Sequence, residues 1–322
     1  MAEVRTLTVD AKEDGVRLDR WFRRRWPHLT YIQVQKLARS GQIRVDGGRV
    51  KAETRLSAGA QVRVPPLPDA PASDARDGLS SQDRAFVRGL VLYEDDDVLA
   101  LNKPAGLAVQ GGTKTHRHID RLLAAWGEGE KRPRLVHRLD RDTSGVLVLG
   151  KSPAAAAKLA GAFARRRAAK TYWAIVGGAP VPAEGIIDIP LAKTGFGDRE
   201  MVAPADAKDP KAEPAETEFV TISRAAHTAT WLALRPHTGR THQLRAHMLA
   251  VGHPILGDPK YRSEGSAALS DDLKLQLHAR RIVLPHPSGG EIVLEAPLSA
   301  EMRAGFERFG FEEHEAAEDP FR

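Results

Sequence analysis

The chain has 322 residues, a formal net charge of +6 and a mean hydropathy of −0.37, so it is long enough for two domains and polar enough for a soluble protein. It contains no cysteine, which excludes disulfides, thiolate metal sites and cysteine nucleophiles. It has neither an apolar run that could cross a bilayer nor the apolar core of a signal peptide, and we therefore expect a cytoplasmic protein that does not contact membranes.

The positive charge is concentrated near the N-terminus. Residues 15–64 contain ten Arg and two Lys against three acidic residues, a net charge of +9. Leu18, Trp21 and Phe22 fall on one helical face, which predicts an amphipathic helix over Arg17–Trp26. A charge confined to one small module is what binding to a phosphate backbone requires.

A second helix and a small hairpin are predicted next. Thr30 and Gln33 have the spacing of a capping box, and Gly41 is a typical residue to end the helix that follows. Alternating residues predict short strands at 42–45 and 61–64. Together these elements predict a compact module of two helices and a few short strands.

These segments resemble a known domain. RLDRWFRRR, YIQVQKLARSGQIRVDGGRV and TRLSAGAQVRV are similar to the S4 RNA-binding domain. The resemblance implies that residues 15–64 bind RNA, and the alternative is a solvated, Arg-rich helix pair. The expected RNA contacts are Arg17, Arg20, Arg24, Lys36, Arg39 and Arg44.

The rest of the chain predicts a second, larger domain. Residues 65–85 are rich in Pro, Ala, Ser and Asp and predict a linker, and residues 86–300 contain more strand-like runs than helical ones. Because no regular βαβ alternation appears, we expect an α+β fold with a mixed, mainly antiparallel sheet. Strands are predicted at 91–93, 98–101, 146–149, 172–176, 219–222 and 230–234, and helices at 154–167 and 241–251.

Two stretches are predicted to be exposed. Residues 198–216 are rich in Ala, Asp, Lys and Pro and predict a loop between strands. Residues 301–322 have a net charge of −4, with Phe306, Phe309 and Phe311 among the acidic residues. We expect this acidic C-terminal tail to be a solvated appendage.

Three segments combine Gly, polar and charged residues between apolar strands, as the edges of a pocket do: 101–112, 137–145 and 237–258. The first lacks the GK[ST] arrangement of a phosphate-binding loop. The second contains Asp142-Thr143-Ser144-Gly145, but aspartic-protease chemistry needs a second such loop, which is missing.

Three histidines in the third segment raise the question of a metal site. His237, His242 and His247 are five residues apart, and this spacing spreads their rings around a helix. We therefore expect contacts with RNA or with the core and no metal site.

Taken together, four ordered motifs are similar to the RluA family of pseudouridine synthases. They are LNKPAGLAVQGG (101–112), HRLDRDTSGVLVLGK (137–151), KTYWAIVGG (170–178) and PHTGRTHQLRAHMLAVGHPILGDPKY (236–261). The resemblance implies a catalytic domain over residues 86–300 that isomerises uridine to pseudouridine in RNA. It also implies that no cofactor or metal takes part.

The resemblance assigns roles to individual residues. Asp140 is expected to act at C1′ as nucleophile or as base, with Arg245 as the cation that holds it, and Tyr172 to stack on the extruded uracil. His137 and Arg138 are expected to hold the phosphate of the flipped nucleotide or to brace the loop.

The substrate expected from the S4-like segment is 23S ribosomal RNA, either free or within an assembling large subunit. We expect the enzyme to be a monomer. A family member with another 23S target, or one acting on tRNA, is the first alternative. The second is a ribosome-associated RNA-binding factor without activity, and the third is a metal-dependent hydrolase.

Overall fold

The computed structural model describes residues 4–26, 29–67, 79–112, 115–195, 201–270 and 272–321. Contacts between Cα atoms divide the chain into an N-terminal unit, residues 1–78, and a C-terminal unit, residues 79–322. Most of the predicted linker, 68–78, lies outside the described residues. No helix within the described ranges is long and apolar enough to cross a membrane.

The N-terminal unit packs two helices against a four-stranded antiparallel sheet with the order β1-β4-β2-β3. Leu18, Trp21 and Phe22 are fully buried, so the predicted apolar face is the core face. The predicted capping box is confirmed, because the Thr30 hydroxyl accepts from Gln33 N and the Gln33 side chain accepts from Thr30 N. The elements are β1 (Arg5–Thr8), α1 (Leu18–Arg25), α2 (Tyr31–Arg39), β2 (Arg44–Val45), β3 (Gly48–Arg49) and β4 (Gln61–Val64).

The C-terminal unit contains a ten-stranded sheet and a separate two-stranded one. Its helices are α3 (Ser81–Arg88), α4 (Ile119–Leu122), α5 (Pro153–Ala164), α6 (Gln243–Ala250), α7 (Glu264–Ser270) and α8 (Ala300–Phe309). Its strands are β5 (Val91–Glu94), β6 (Val98–Lys103), β7 (Arg134–Leu135), β8 (Ser144–Gly150), β9 (Ala169–Gly177), β10 (Glu184–Asp188), β11 (Leu191–Thr194), β12 (Met201–Pro204), β13 (Glu216–Ala225), β14 (Ala229–Pro236), β15 (Leu277–Pro285) and β16 (Glu291–Glu295).

The large sheet is mixed and mainly antiparallel, which confirms the predicted α+β class. Its order is β10-β13-β14-β9-β15-β8-β6-β5, with β16 paired to β15 and β7 paired to β8. The β15–β8 pair is parallel and the other pairs are antiparallel. All six predicted strands of this domain are present, and both predicted helices are, as α5 and α6.

The middle of the sheet positions the second polar segment. Every residue of β8 is buried, which explains its unbroken apolar run, VLVL. Gly145, at the start of this strand, has φ +111°, and a Cβ there would collide with the Ala279 carbonyl of the neighbouring β15. Only glycine therefore lets the polar segment enter the centre of the sheet directly.

The structure corrects the loop predicted at 198–216 and the end of the predicted linker. Residues 201–204 of the predicted loop form β12, which pairs with β11 and buries Val202, while residues 198–200 lie outside the described residues. Helix α3 begins at Ser81, inside the predicted linker, because the Ser80 hydroxyl caps it by accepting from Asp83 N.

The acidic tail is not a solvated appendage. Residues 300–309 form α8, and Phe306 and Phe311 are buried in a cluster with Trp173 and Trp231. The phenyl ring of Phe306 lies 4.6 Å from the Trp231 ring. Acidic residues of the segment pair with arginines of the sheet, as Asp319 does with Arg235 at 2.7 Å. The sequence shows the negative charge but not the distant arginines that meet it.

Candidate active site

A cavity of about 800 Å³ opens in the C-terminal unit. Its lining includes residues 137–140 of the second polar segment, the start of β9, and residues 237–245 of the third polar segment. The three predicted catalytic residues, Asp140, Tyr172 and Arg245, all lie on its wall although they are far apart in the sequence.

Asp140 lies in a tight loop that leads into β8. The preceding Leu139 is buried and anchors the loop in the core, and Thr143 N donates to the Asp140 carbonyl at 3.2 Å. The Asp140 side chain keeps 21% of its surface exposed. The carboxylate is therefore fixed at its base while its oxygens face the cavity.

Lys103 connects the first polar segment to this loop. The side chain is fully buried at the end of β6, and its ammonium donates to the carbonyls of Pro104, Leu107 and Arg141 at 2.8–3.0 Å. Burial lowers its pKa to about 7, and the nearby Asp142 and Asp140 carboxylates offset only part of that effect. Lys103 thus connects the first polar segment to the second at Arg141, the residue that follows Asp140.

Tyr172 projects into the cavity from β9. Burial, and then the negative charge of Asp140, raise its pKa well above the ordinary value of 10.0. The phenol consequently stays protonated at neutral pH, where it can offer a flat ring and an O–H donor but not a phenolate base. Trp173, the next residue, packs against Trp231 on the opposite face of the sheet.

Arg245 is buried in α6, with 2% of its surface exposed, and its guanidinium forms a bidentate pair with Asp258. The guanidinium Nε and Nη2 donate to the two Asp258 oxygens at 2.7 and 2.6 Å. Burial opposes its charge, but the bonds to Asp258 and the fields of Asp258 and Asp140 outweigh burial and raise its pKa. The direct pair expected between Arg245 and Asp140 is therefore replaced by a pair with Asp258, and Asp140 feels the cation at longer range.

Among the residues that the structure describes, His242 is the side chain in ion-pair range of Asp140. Its Nε2 is 4.0 Å from Asp140 Oδ2, and its Nδ1 is 3.1 Å from the hydroxyl of Tyr261. Asp258 also accepts from Tyr261 N at 2.9 Å, so one carboxylate holds both Arg245 and the Tyr261 backbone. The sequence contained this signal in the GDPKY end of the fourth motif, to which no role was assigned.

His137 and Arg138 occupy different positions on the cavity wall. The His137 ring stacks on Phe163 at 4.4 Å, and its Nε2 accepts from Val148 N at 2.8 Å. Burial lowers the pKa of His137 to about 3, so the ring is neutral and supplies no charge to a phosphate. This geometry favours its expected role as a brace. Arg138 is exposed at the rim, where it is accessible to an RNA backbone.

Lys170 is a further cation of the cavity that the sequence did not single out. It lies two residues before Tyr172 on β9, so the two side chains share a face of the strand. Burial lowers its pKa, and its ammonium has no carboxylate partner among the described residues. A half-buried cation that faces a cavity in this way is suited to an anionic ligand.

The predicted RNA contacts of the N-terminal unit differ in how their charges are used. Arg20, Arg24, Lys36 and Arg39 are exposed. The Arg17 fork is paired with Asp19 at 3.0 Å. The Arg44 guanidinium donates to carbonyls of its own turn. A cavity of about 330 Å³ collects four of the unit's cations, namely Arg17, Arg20, Arg24 and Arg55, and Arg55 was not among the predicted contacts.

The three histidines of the third segment have three different environments. His237 Nε2 is 3.2 Å from Glu218 Oε2, His242 faces Asp140, and His247 is buried between the Thr217 hydroxyl and the Ile189 carbonyl. Within the ranges that the structure describes, no three His, Asp or Glu side chains are grouped so that they could hold a metal ion.

Comparisons with known proteins identify relatives of the chain. Residues 97–250 match the family model described as RNA pseudouridylate synthase. The chain is 33% identical over 311 residues to a Vibrio parahaemolyticus protein named ribosomal large subunit pseudouridine synthase C, covering 94% of this chain and 96% of that one. It is 34% identical over 304 residues to the Escherichia coli protein of the same name, covering 92% and 93%. The solved structure of human RNA pseudouridylate synthase domain containing 4 is 27% identical and superposes with a TM-score of 0.60 over 73% of this chain and 99% of that one.

Proposed function

The chain belongs to the RNA pseudouridylate synthase family and is an RNA pseudouridine synthase, and from this premise we propose that its substrate is 23S ribosomal RNA of the large subunit. The relatives named for the large ribosomal subunit align with more than nine-tenths of the chain, including the basic N-terminal unit. The match to these relatives over nearly the whole chain carries the choice of substrate, and the meeting of Asp140, Tyr172 and Arg245 at one cavity supports the activity.

The reaction requires the uridine to leave the RNA stack. The N1–C1′ bond breaks, the uracil turns, and C5 forms a bond to C1′, none of which can occur within a stacked helix. The cavity of about 800 Å³ is large enough to hold one nucleotide. Tyr172 provides the aromatic face on which the flipped uracil stacks, and Arg138 at the rim reaches the backbone of the flipped nucleotide.

Asp140 supplies the carboxylate that acts at C1′. It either attacks C1′ to form a covalent intermediate or removes a proton from the sugar, and both routes start from the ionised form. The proton released from C5 balances the one gained by N1, so the isomerisation needs no oxidant, cofactor or metal. Tyr172, kept protonated, donates a hydrogen bond in this scheme and does not serve as a phenolate base.

The N-terminal unit supplies RNA affinity in this proposal, as an S4-like domain. Arg20, Arg24 and Arg55 are grouped around one small cavity, where they can neutralise successive phosphates. The exposed Lys36 and Arg39 extend the positive charge along α2. Contacts of this kind position the enzyme on RNA without reading its sequence, which leaves the choice of uridine to RNA shape around the catalytic cavity.

The partners and the compartment follow from the substrate. We propose a monomeric enzyme that acts in the cytoplasm on 23S rRNA, either free or within an assembling large subunit. Action on tRNA is a distinct outcome of the test below.

The experiment maps pseudouridines in 23S rRNA from cells with and without the gene, and then treats unmodified rRNA with purified protein. We expect a few uridines to lose the modification in the deletion and to regain it with the wild-type protein. Asp140→Asn should bind the same RNA and form no pseudouridine, whereas Asp142→Asn on the same loop serves as the matched control and should stay active. Modified tRNA with unmodified rRNA would refute the substrate, and an active Asp140→Asn would refute the catalytic role.

A further inference from the structure

His242 occupies an unusual place beside the catalytic carboxylate. It precedes α6 with φ +52° and ψ +19°, the left-handed region, and its side chain is only 13% exposed. Non-glycine residues rarely adopt this backbone conformation, and where they do the surrounding structure must hold them there. The strained backbone directs the imidazole between two groups, the Asp140 carboxylate and the Tyr261 hydroxyl.

The hydrogen bonds of Tyr261 determine which nitrogen of His242 carries the proton. The Tyr261 hydroxyl accepts from Val202 N at 2.8 Å, and it is 3.1 Å from His242 Nδ1. Tyr261 has 1% of its surface exposed, so its own O–H proton needs a partner in the protein, and Nδ1 is the described acceptor within reach. Nδ1 therefore accepts, and the single proton of the neutral ring lies on Nε2, which faces Asp140.

The imidazole is neutral at physiological pH. Burial lowers the pKa of His242, and the cations Arg245 and Lys260 act in the same direction, while the carboxylates of Asp140 and Asp258 oppose them. A neutral N–H donor orients a carboxylate without compensating its charge as an imidazolium would.

We propose that His242 is a positioning residue for the reaction, with Tyr261 fixing its tautomer so that the Nε2–H donor aims the Asp140 carboxylate at C1′. This inference rests on the proposed catalytic role of Asp140. The 4.0 Å separation between Nε2 and Oδ2 closes to a hydrogen bond when the nucleotide is bound, as catalytic hydrogen bonds commonly do. A small displacement of a reacting group is enough to slow the chemical step strongly.

Two substitutions of His242 separate this role from a purely structural one. Gln places an amide N–H near the position of Nε2, whereas Asn reaches only the position of Nδ1. Asn tolerates the left-handed backbone well and Gln does not. A structural role therefore predicts that His242→Asn is the less harmful change, and the positioning role predicts that His242→Gln is.

The rate of single-turnover pseudouridine formation on the rRNA substrate shows which of the two variants is slower. RNA affinity is measured in parallel. We expect His242→Asn to slow the chemical step by roughly 10- to 100-fold without changing RNA affinity, and His242→Gln to recover most of the rate. Tyr261→Phe, which removes the group that fixes the tautomer, should also slow this step. Equal or reversed rates for Asn and Gln would overturn the proposal.

An independent readout does not depend on activity. In the full-length protein labelled with ¹⁵N-histidine, NMR should show His242 with a protonated Nε2 and an unprotonated Nδ1 at neutral pH, and a mixture of tautomers in Tyr261→Phe. A protonated Nδ1 in the wild type would overturn the proposal whatever the enzyme modifies. If instead the tautomer is as stated but no rRNA uridine is converted, the failure lies with the proposed substrate.

Discussion

Replacing Lys103 by Met tests the energetic role of the buried ammonium that joins two motifs. The ammonium has no exposed surface and donates to three carbonyls, and burial lowers its pKa from 10.5 to about 7. Between these two values the unfolded chain binds a proton that the folded protein does not. Stability contributed by this group therefore rises with pH across that window.

The size of the effect follows from the two pKa values. Between pH 6 and pH 9 the free energy of unfolding should increase by about 2.6 kcal/mol in the wild type because of this one residue. Lys103→Met lacks this increase. The lost hydrogen bonds and altered packing lower the free energy of unfolding of the variant at both pH values. They therefore largely cancel when the difference between wild type and variant at pH 9 is compared with the difference at pH 6.

Urea denaturation of both proteins at the two pH values measures the difference, with Lys158→Met as the matched control. Lys158 is exposed and its ammonium bonds a single carbonyl, that of Pro287. We expect the destabilisation caused by Lys103→Met to be larger at pH 9 than at pH 6, and that caused by Lys158→Met to be equal at both. If the free energies of unfolding of wild type and Lys103→Met changed by the same amount between pH 6 and pH 9, the reasoning would be refuted, because the folded state would then keep this lysine charged.

Three further predictions concern the site and the tail. Asp258→Ala leaves the buried Arg245 guanidinium unpaired and should lower the free energy of unfolding by about 3–5 kcal/mol in urea denaturation, and a loss below about 1 kcal/mol would contradict the pair. Phe306→Ala removes a ring packed 4.6 Å from Trp231 and should cost about 3–5 kcal/mol, whereas a solvated tail would show no loss. Lys170→Met should reduce the slope of log affinity against log salt by about 0.7 in titrations with single-stranded RNA, and an unchanged slope would rule out a phosphate contact.

The sequence predicted the elements that have a clear apolar pattern. The apolar face of α1 has the helical period, and the unbroken run VLVL in β8 is typical of a strand buried on both faces, so their positions were correct. Strand β15 was missed because LHARRIVLP contains a histidine and two arginines that break the apolar pattern. Its Arg280 lies over the Trp173 ring at 4.6 Å, a partner that becomes visible only when the sheet is assembled.

The sequence proposed the residues of the candidate site but not the contacts between their side chains. Asp140, Tyr172 and Arg245 came from the family resemblance, and the structure places all three at one cavity. The pairing of Arg245 with Asp258, and the position of His242 Nε2 at 4.0 Å from Asp140, depend on the fold of residues 253–261 back onto α6. Motif spacing alone carries no information about such tertiary contacts.

The pairing of Arg245 with Asp258 has a consequence for the chemistry of Asp140. A fork bound directly to Asp140 would occupy the lone pairs that must reach C1′ and would stabilise the carboxylate in its ground state. Because Asp258 takes that fork, Arg245 and Asp258 form a buried pair without net charge. Asp140 remains within the field of Arg245 but outside its hydrogen bonds. In the proposed reaction the lone pairs of the Asp140 carboxylate are thus left free to reach C1′, and its direction is set by the neutral donor of His242.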